Sequence, residues 1–400
     1  MLFDALTLQL GYNVTLVMLG AAALGMAAGG AGTYLFLRKR ALVSDAVSHA
    51  TLPGVGVAFL VMVLLGGDGR WLPGLLAGSA LTAGIGLLCV AALTRRTRLT
   101  EDAAIGAVLS VFFGLGIVLL TIVQTLPLGR QAGLESFLLG STAGMLRSDA
   151  LLIAAGGVVT LLAVATLHRP FTAVAFDPGF AQATGQNIAR IDLTLMMLVM
   201  AVTVVGLKVV GLILIVALLI IPPVAARFWT DKAETLALIA AALGGLSGYV
   251  GAGLSATAPG LPTGPIIVLV AFALFALSFL AAPGRGVVAL ALRHRHFQHA
   301  VHLRQGLLAI ASEQPIYEAL TMRILRREGL VRADGVPTDA GRGRAAKALR
   351  DETRWQVARG TEHLSGLAAR HDGLTEIETV LTADQIAEID ARIATPVEVG

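Results

Sequence analysis

The sequence contains a single cysteine, Cys89, among 400 residues, and only four lysines. One cysteine cannot form a disulfide within the chain, and a metal centre built from several thiolates is excluded for the same reason. The lysines stand at positions 39, 208, 232 and 347, and none of them follows a glycine. The glycine-lysine core of a Walker A phosphate-binding loop is therefore absent, so any work driven by ATP requires a partner ATPase.

Charged residues are also scarce, since they make up 14% of the sequence while hydrophobic residues make up 56%. The mean hydropathy is +0.79 and glycine occurs 46 times, which excludes an ordinary soluble protein and indicates a polytopic membrane protein. The balance changes near Arg285, because residues 1–285 hold 15 Lys+Arg and 11 Asp+Glu whereas residues 286–400 hold 15 of each. We therefore expect a transmembrane domain over 1–285, a histidine- and arginine-rich juxtamembrane linker over 286–302, and a cytoplasmic domain over 303–400.

The apolar segments between residues 14 and 282 predict an all-α transmembrane bundle of about eight to nine spans. The stretch 193–226 would be about 51 Å long as one helix, so it must turn, and we place the turn near Gly206. The segment 134–147 is too short to span and is predicted to be a re-entrant or interfacial helix on the outer side.

Glycine pairs spaced four residues apart predict close contacts between helices, because lipid provides no hydrophobic drive for helix association and small residues let two backbones approach. The pairs are Gly25/Gly29, Gly74/Gly78 and Gly244/Gly248.

Basic residues between the spans predict the orientation of the chain. If the connection after the first span is cytoplasmic, alternation places eleven basic residues inside and four outside. Lys and Arg are enriched on the cytoplasmic side of membrane proteins, so we expect the amino terminus outside and the C-terminal domain in the cytoplasm. The inside set is Arg38, Lys39, Arg40, Arg95, Arg96, Arg98, Arg169, Arg190, Arg227, Lys232 and Arg285, and the outside set is Arg70, Arg130, Arg147 and Lys208.

Two ionisable residues, Asp45 and His49 in the sequence SDAVSH, lie within a stretch that is otherwise typical of a membrane-embedded segment. Their spacing of four puts both side chains on one face of a helix. A titratable side chain in hydrocarbon costs about 3 kcal/mol or more unless it faces a polar path or a bound ion, so the pair indicates transport. Pro53 has no N–H for the carbonyl of residue 49, which predicts an interruption of the helix beside His49. Glu101, by contrast, stands at the start of a span. There Thr100 can cap the helix and an acidic side chain is favoured by the helix dipole, so the presence of Glu101 does not require a role in transport.

The polar connection after the fifth predicted span has the signals of a short cytoplasmic helix. Asp177 suits the N-cap, Pro178 the first helical position, and Gly185 the left-handed residue just past the end. A helix this short is marginal alone in water, so we expect it to dock against another subunit, and an ordinary interfacial loop is the alternative.

Four separated segments resemble one known family in their order and spacing: RKRALVSDAVSHATLPGVGVAF, TEDAAIG, FDPGFAQATG and VALLIIPPVAA. Over about residues 10–282 the chain is similar to the permease subunits of bacterial ABC importers for manganese, zinc or iron. The resemblance implies that Asp45 and His49 line the ion path. It also implies a bacterial plasma-membrane location, an ABC ATPase subunit, an extracytoplasmic metal-binding protein, and a second permease subunit that is identical or different. The segment implied to dock into the ATPase contributes Asp177, Pro178, Phe180, Ala181 and Gly185.

The ligand chemistry of Asp45 and His49 suits a transported divalent ion and no permanently bound cofactor. A carboxylate oxygen and an imidazole nitrogen suit Mn²⁺, Fe²⁺ and Zn²⁺ alike. Two ligands make a poor site, but two permeases related by a twofold axis could bring four ligands together and still release the ion. The alternative for the pair is a mutual hydrogen bond that stabilises the helix. For the whole chain the alternatives are an ion-coupled secondary carrier or channel, and a membrane-anchored regulator that acts through its C-terminal domain.

The C-terminal sequence predicts a helix with Leu320, Ile324 and Leu325 inward, a turn at Asp334-Gly335, and a second helix. Over about residues 303–358 it resembles winged helix-turn-helix domains, notably those of metal-dependent repressors, which implies a small α+β domain with a helical extension. The equal numbers of acidic and basic residues argue against DNA binding and favour regulation or docking of the ATPase.

Four of the eight histidines fall within nine residues, in the sequence RHRHFQHAVH between the last span and the tail. His296, His299 and His302 recur every three residues and form a candidate cytoplasmic metal site. The alternative is a juxtamembrane segment whose arginines and histidines meet anionic lipid headgroups.

Overall fold

The computed structural model describes residues 11–67, 69, 71–125, 147–258, 261–369 and 371–394. The chain divides into two compact units, Met1–Ala289 and Leu290–Gly400. The predicted re-entrant segment 134–147 lies outside the described residues except for Arg147. The helices that begin in the first unit are α1 (Tyr12–Leu37), α2 (Ala41–Leu64), α3 (Leu72–Arg96), α4 (Glu101–Thr125), α5 (Arg147–Phe176), α6 (Pro178–Ala183), α7 (Ile188–Val210), α8 (Leu212–Ala226), α9 (Ala233–Ser255), α10 (Thr263–Ala281) and α11 (Val287–Ala311).

Within the described ranges, eight helices are long and apolar enough to cross a membrane, namely α1, α2, α3, α4, α5, α7, α9 and α10. The prediction of a polytopic helical bundle is therefore confirmed. The long apolar stretch around 193–226 does break, but at Gly211 between α7 and α8 and not at Gly206. Gly211 has a φ of 83°, a left-handed conformation that glycine adopts without a steric penalty.

Helix α1 packs against α9 through small residues, as the glycine spacing predicts. A Cβ atom at Gly25 would overlap the carbonyl oxygen of Gly244, and one at Gly248 would overlap that of Ala21. Because no side chain separates the backbones, the two helices can approach closely and are among the most buried of the bundle.

Helix α2 is held between α3 and α4. A Cβ atom at Gly54 would overlap the carbonyl oxygen of Gly78 on α3, and one at Gly116 of α4 would lie 2.5 Å from the Cβ of Leu52. The predicted interruption of the helix at Pro53 is wrong, because α2 runs unbroken through this residue. Proline removes only one backbone hydrogen bond, and packing against two neighbouring helices keeps α2 helical on both sides of it.

The second unit contains the C-terminal part of α11, the helices α12 (Ala319–Arg327), α13 (Asp339–Gly360), α14 (Glu362–Ala368) and α15 (Ala383–Ala394), and a 3-10 turn at Ile377–Thr379. The predicted α+β winged-helix domain is not supported, because no strand occurs in the part of the tail that the structure describes. A single antiparallel bridge joins Val331 to Pro337. Two backbone hydrogen bonds of 2.9 Å flank this pair, from the N–H of Arg332 to the carbonyl of Val336 and from the N–H of Thr338 to the carbonyl of Leu330, and the turn between the bridged residues has Gly335 at a φ of 89°. Ile324 and Leu325 are buried as predicted, but Leu320 is exposed.

Trp355 forms the centre of the tail core. It is fully buried, and its Nε1 donates a hydrogen bond to the carbonyl of Thr375 at 3.2 Å. The imidazole of His371 stacks on the indole, with 4.1 Å between ring centroids and 13° between planes. Burial lowers the pKa of His371, and the charges of Arg304 and Arg359 lower it further.

Candidate ion-path site

Asp45 and His49 lie one turn apart on α2, near its first residue. The His49 Nε2 atom is 3.4 Å from the Asp45 Oδ1 atom. The imidazole is 17% exposed and the carboxylate is 37% exposed, so both groups can be reached from outside the chain. This distance exceeds the 2.7–2.9 Å of a charge-assisted hydrogen bond by roughly half an ångström, so the two side chains do not form a short hydrogen bond with each other. The structure thus brings these two sequence-predicted residues together.

The rest of the imidazole is enclosed by protein. The rings of His49 and Phe113 on α4 are nearly perpendicular, with centroids 5.0 Å apart and an interplanar angle of 89°. Its Nδ1 atom is buried and has no hydrogen-bond partner among the described residues. The nearby Ser44 and Ser48 hydroxyls donate to carbonyls of their own helix at 2.6 and 2.8 Å. Among the described residues, Asp45 and His49 are the ionisable groups of this helix face.

Where the structure describes the chain, no group of three or more His, Cys, Asp or Glu residues could hold a metal ion. His299 lies 3.5 Å from Glu328, and His302 lies 3.2 Å from Glu318, while His296 is exposed. The three histidines do not converge on one point. A helix turns about 100° per residue, so each histidine is rotated by about 60° around the helix axis from the one three residues before it.

The predicted short helix exists as α6. The Asp177 carboxylate accepts a hydrogen bond from the backbone N–H of Phe180 at 2.9 Å, and Pro178 occupies the first turn. Gly185 has a φ of 84°, the left-handed conformation predicted for it. Ala181 is buried against the bundle, whereas Phe180 is 62% exposed. This local structure is confirmed, and α6 presents an apolar ring outward.

Sequence reasoning missed a network of ion pairs at the end of the bundle near Asp45. Arg38 lies 2.7 Å and Arg40 3.1 Å from the same oxygen of Asp192 on α7. Arg40 also lies 3.0 Å from Glu101. Glu101 therefore forms an ion pair in addition to standing at the start of α4, where the sequence placed it. No local signal could have found these pairs, because more than 150 residues separate Asp192 from the arginines.

Eight helices in the described part of the chain are long and apolar enough to cross a membrane, and they define a polytopic membrane protein. Residues 12–282 match the ABC 3 transport family. The chain is 41% identical over 310 residues to the manganese transport system membrane protein MntC of Bacillus subtilis, which covers 77% of this chain and 70% of that protein. It is 40% identical over 277 residues to the zinc transport system membrane protein TroC of Treponema pallidum, with 69% and 91% covered. The solved structure of PsaBC from Streptococcus pneumoniae in complex with a Fab superposes with a TM-score of 0.62 at 26% identity, covering 73% of this chain and all of that one.

The chain therefore belongs to the ABC 3 transport family. It is a multi-pass permease subunit of an ABC-type importer of transition metal ions, and ATP hydrolysis takes place in a separate subunit. The predicted family and the predicted permease role are confirmed.

Proposed function

We propose that this permease moves Mn²⁺, Zn²⁺ or Fe²⁺ into the cell along a path lined by Asp45 and His49. The observation that carries the proposal is the ionisable pair itself, held on one partly exposed face of α2. Such groups are costly inside a membrane, and a polar path with a passing cation offsets that cost. Two relatives, one named for manganese transport and one for zinc transport, support this substrate class.

The spacing of the pair suits joint binding of one ion. Ligands at about 2.1 Å from a tetrahedral ion stand about 3.4 Å apart, which is the edge of the tetrahedron. The measured Nε2 to Oδ1 separation is 3.4 Å. Two ligands leave the ion half coordinated, and a second permease related by a twofold axis would supply the other two. The resulting site has two carboxylates and two imidazoles, and it binds without enclosing the ion permanently.

The dimer can be tested with a cysteine on the same face. Leu42 is 52% exposed and lies three residues before Asp45 on α2. In a Cys89→Ala background, Leu42→Cys should cross-link two copies through a short thiol reagent, while Leu193→Cys, 49% exposed on α7, should not. A cross-link to a different membrane subunit would show a heterodimer, and equal cross-linking of both variants would contradict the twofold site.

We also propose that the segment 177–185 docks into the ATPase. The exposed Phe180 on a capped, six-residue helix supports this role, because so short a helix gains stability from a partner. An extracytoplasmic binding protein would deliver the ion at the opposite face, with the amino terminus outside. The C-terminal domain would lie in the cytoplasm, where it would regulate or dock the ATPase.

Co-purification tests the ATP-driven class against an ion-coupled carrier. The full chain, extracted gently from cells that express the whole system, should retain an ABC ATPase and hydrolyse ATP. Metal transport by the reconstituted chain alone, driven by an ion gradient and without any ATPase, would contradict the proposal.

A further inference from the structure

The ion-pair network near Asp45 joins the ends of four helices, α1, α2, α4 and α7. Arg38 directly follows α1 and Arg40 directly precedes α2, while Glu101 begins α4 and Asp192 lies in the first turns of α7. The Asp192 carboxylate is only 16% exposed and is shared by both arginines. One acidic side chain thereby fixes the positions of two other helix ends.

The network also brackets the segment proposed to dock into the ATPase. An Nη of Arg38 donates to the carbonyl of Val174 at 2.8 Å, three residues before Asp177. Asp192 follows Gly185 by seven residues. The two points where α6 is connected to the bundle, the end of α5 and the start of α7, are therefore both held by the guanidinium of Arg38.

The same network continues to the helix that carries the ion pair. Arg40 is the N-cap residue of α2, and Asp45 follows it by five residues, a rise of about 7.5 Å along a helix. A cavity of about 180 Å³ beside Arg40, Glu101 and Asp192 leaves room for these side chains to shift. Replacing Asp192 by a neutral residue removes the carboxylate that both arginines share and leaves partly buried positive charge at this point, so Asp192 holds the network together.

We propose that Asp192 and Arg40 are positioning residues that transmit movement of the ATPase-docking segment 177–185 to α2, and thus set the position of Asp45 and His49. The proposal rests on the proposed function of the two segments. Energetic coupling between distant sites can be carried by packed or ion-paired contacts, and these contacts connect the two helices that flank α6 to the start of α2. Loss of the contact would let ATP be hydrolysed without moving the ion-path residues.

The ratio of ATP hydrolysed to metal ions transported tests this in proteoliposomes that hold the full chain with its partner subunits. Asp192→Asn and Arg40→Gln should each raise the ratio about fivefold or more, the lower range of coupling between sites. Because both substitutions remove the ion pair between Arg40 and Asp192, the ratio in the double variant should lie within about twofold of the ratios in the single variants. Asp192→Glu keeps the charge and should keep a ratio near that of the unaltered chain.

Asp231→Asn is the matched control at the same end of the bundle. Asp231 pairs with Arg227 at 2.8 Å and Arg285 at 2.6 Å, and neither of these residues lies on α2 or beside α6. The ratio should not change in this variant. An unchanged ratio in Asp192→Asn would overturn the inference. The inference would also be overturned if Asp192→Asn and Asp192→Glu each lost ATP hydrolysis and metal transport in the same proportion. Failure of the unaltered chain to couple ATP to metal uptake would instead contradict the proposed function.

Discussion

At the scale of single residues, the two ring nitrogens of His49 have different surroundings. Its Nε2 atom faces Asp45, whereas its Nδ1 atom is buried without a partner in the described part of the chain. A neutral imidazole can bind a cation through one nitrogen while the other keeps the proton, so Nε2 is the end available to an ion. The ring of Phe113 packs perpendicular to the imidazole and limits its rotation.

Gly54 provides a test of how closely α2 is held. Gly54→Ala should reduce the free energy of unfolding by about 1–3 kcal/mol, because the new methyl group overlaps the carbonyl of Gly78. Thermal unfolding of the detergent-solubilised protein measures the loss. Gly84→Ala on α3 is the control, since no atom lies within 4 Å of its added Cβ. Equal stability of the two variants would show that α2 and α3 are not in close contact.

His371 predicts a pH dependence of the tail. Its pKa is lowered in the folded chain, so below the ordinary value of 6.5 the unfolded chain takes up a proton that the folded chain resists. Stability should be complete above that pH and should fall as the pH drops below it. With Trp71 and Trp229 replaced by phenylalanine, fluorescence of Trp355 should show a lower unfolding temperature at pH 5.5 than at pH 7.5.

His371→Phe keeps the stacking on Trp355 but cannot be protonated, so it should weaken this pH dependence. His363→Phe serves as the control, because His363 is 57% exposed. If both variants behave like the unaltered protein, the burial of His371 does not control the stability of the tail.

At the scale of elements, the cap of α6 should set the strength of ATPase association. Asp177→Ala removes a cap worth about 1 kcal/mol, which corresponds to about fivefold in the binding constant. Binding of the detergent-solubilised permease to the ATPase measures the change. Asn187→Ala removes the cap of α7, where the Asn187 side chain accepts a hydrogen bond from Arg190 at 3.1 Å, and should weaken binding less. Equal weakening in both variants would contradict a special role for α6.

The contrast between α6 and α2 shows what the sequence could and could not predict. Asp177, Pro178 and Gly185 act within a few residues of one another, and the predicted cap and left-handed turn are confirmed. The prediction at Pro53 was wrong because packing from two other helices decides whether α2 stays intact. The ion pairs of Asp192 join distant parts of the chain, and no local pattern reports them. In the tail, the predicted turn is present, but a single bridge forms where the prediction required two strands.

At the scale of the whole molecule, the N-terminal half of α11 is a site open to cleavage between the two units of the chain. Residues 290–297 are exposed on all sides of the helix, so few contacts oppose local unfolding. Limited trypsin treatment should cut first at Arg295 or its neighbours and yield one membrane-embedded and one tail fragment by mass spectrometry. If the tail is cytoplasmic, inside-out vesicles should be cleaved and intact spheroplasts should not. The reverse pattern would contradict the proposed orientation.

The most direct test of the account is metal accumulation in cells that express the complete system, measured by mass spectrometry for manganese, zinc and iron together. The unaltered chain is compared with Asp45→Ala and His49→Ala, with the amount of protein in the membrane determined for each. The account predicts loss of the same metal in both variants at normal membrane levels. Unchanged accumulation in either variant would contradict the assignment of Asp45 and His49 to the ion path.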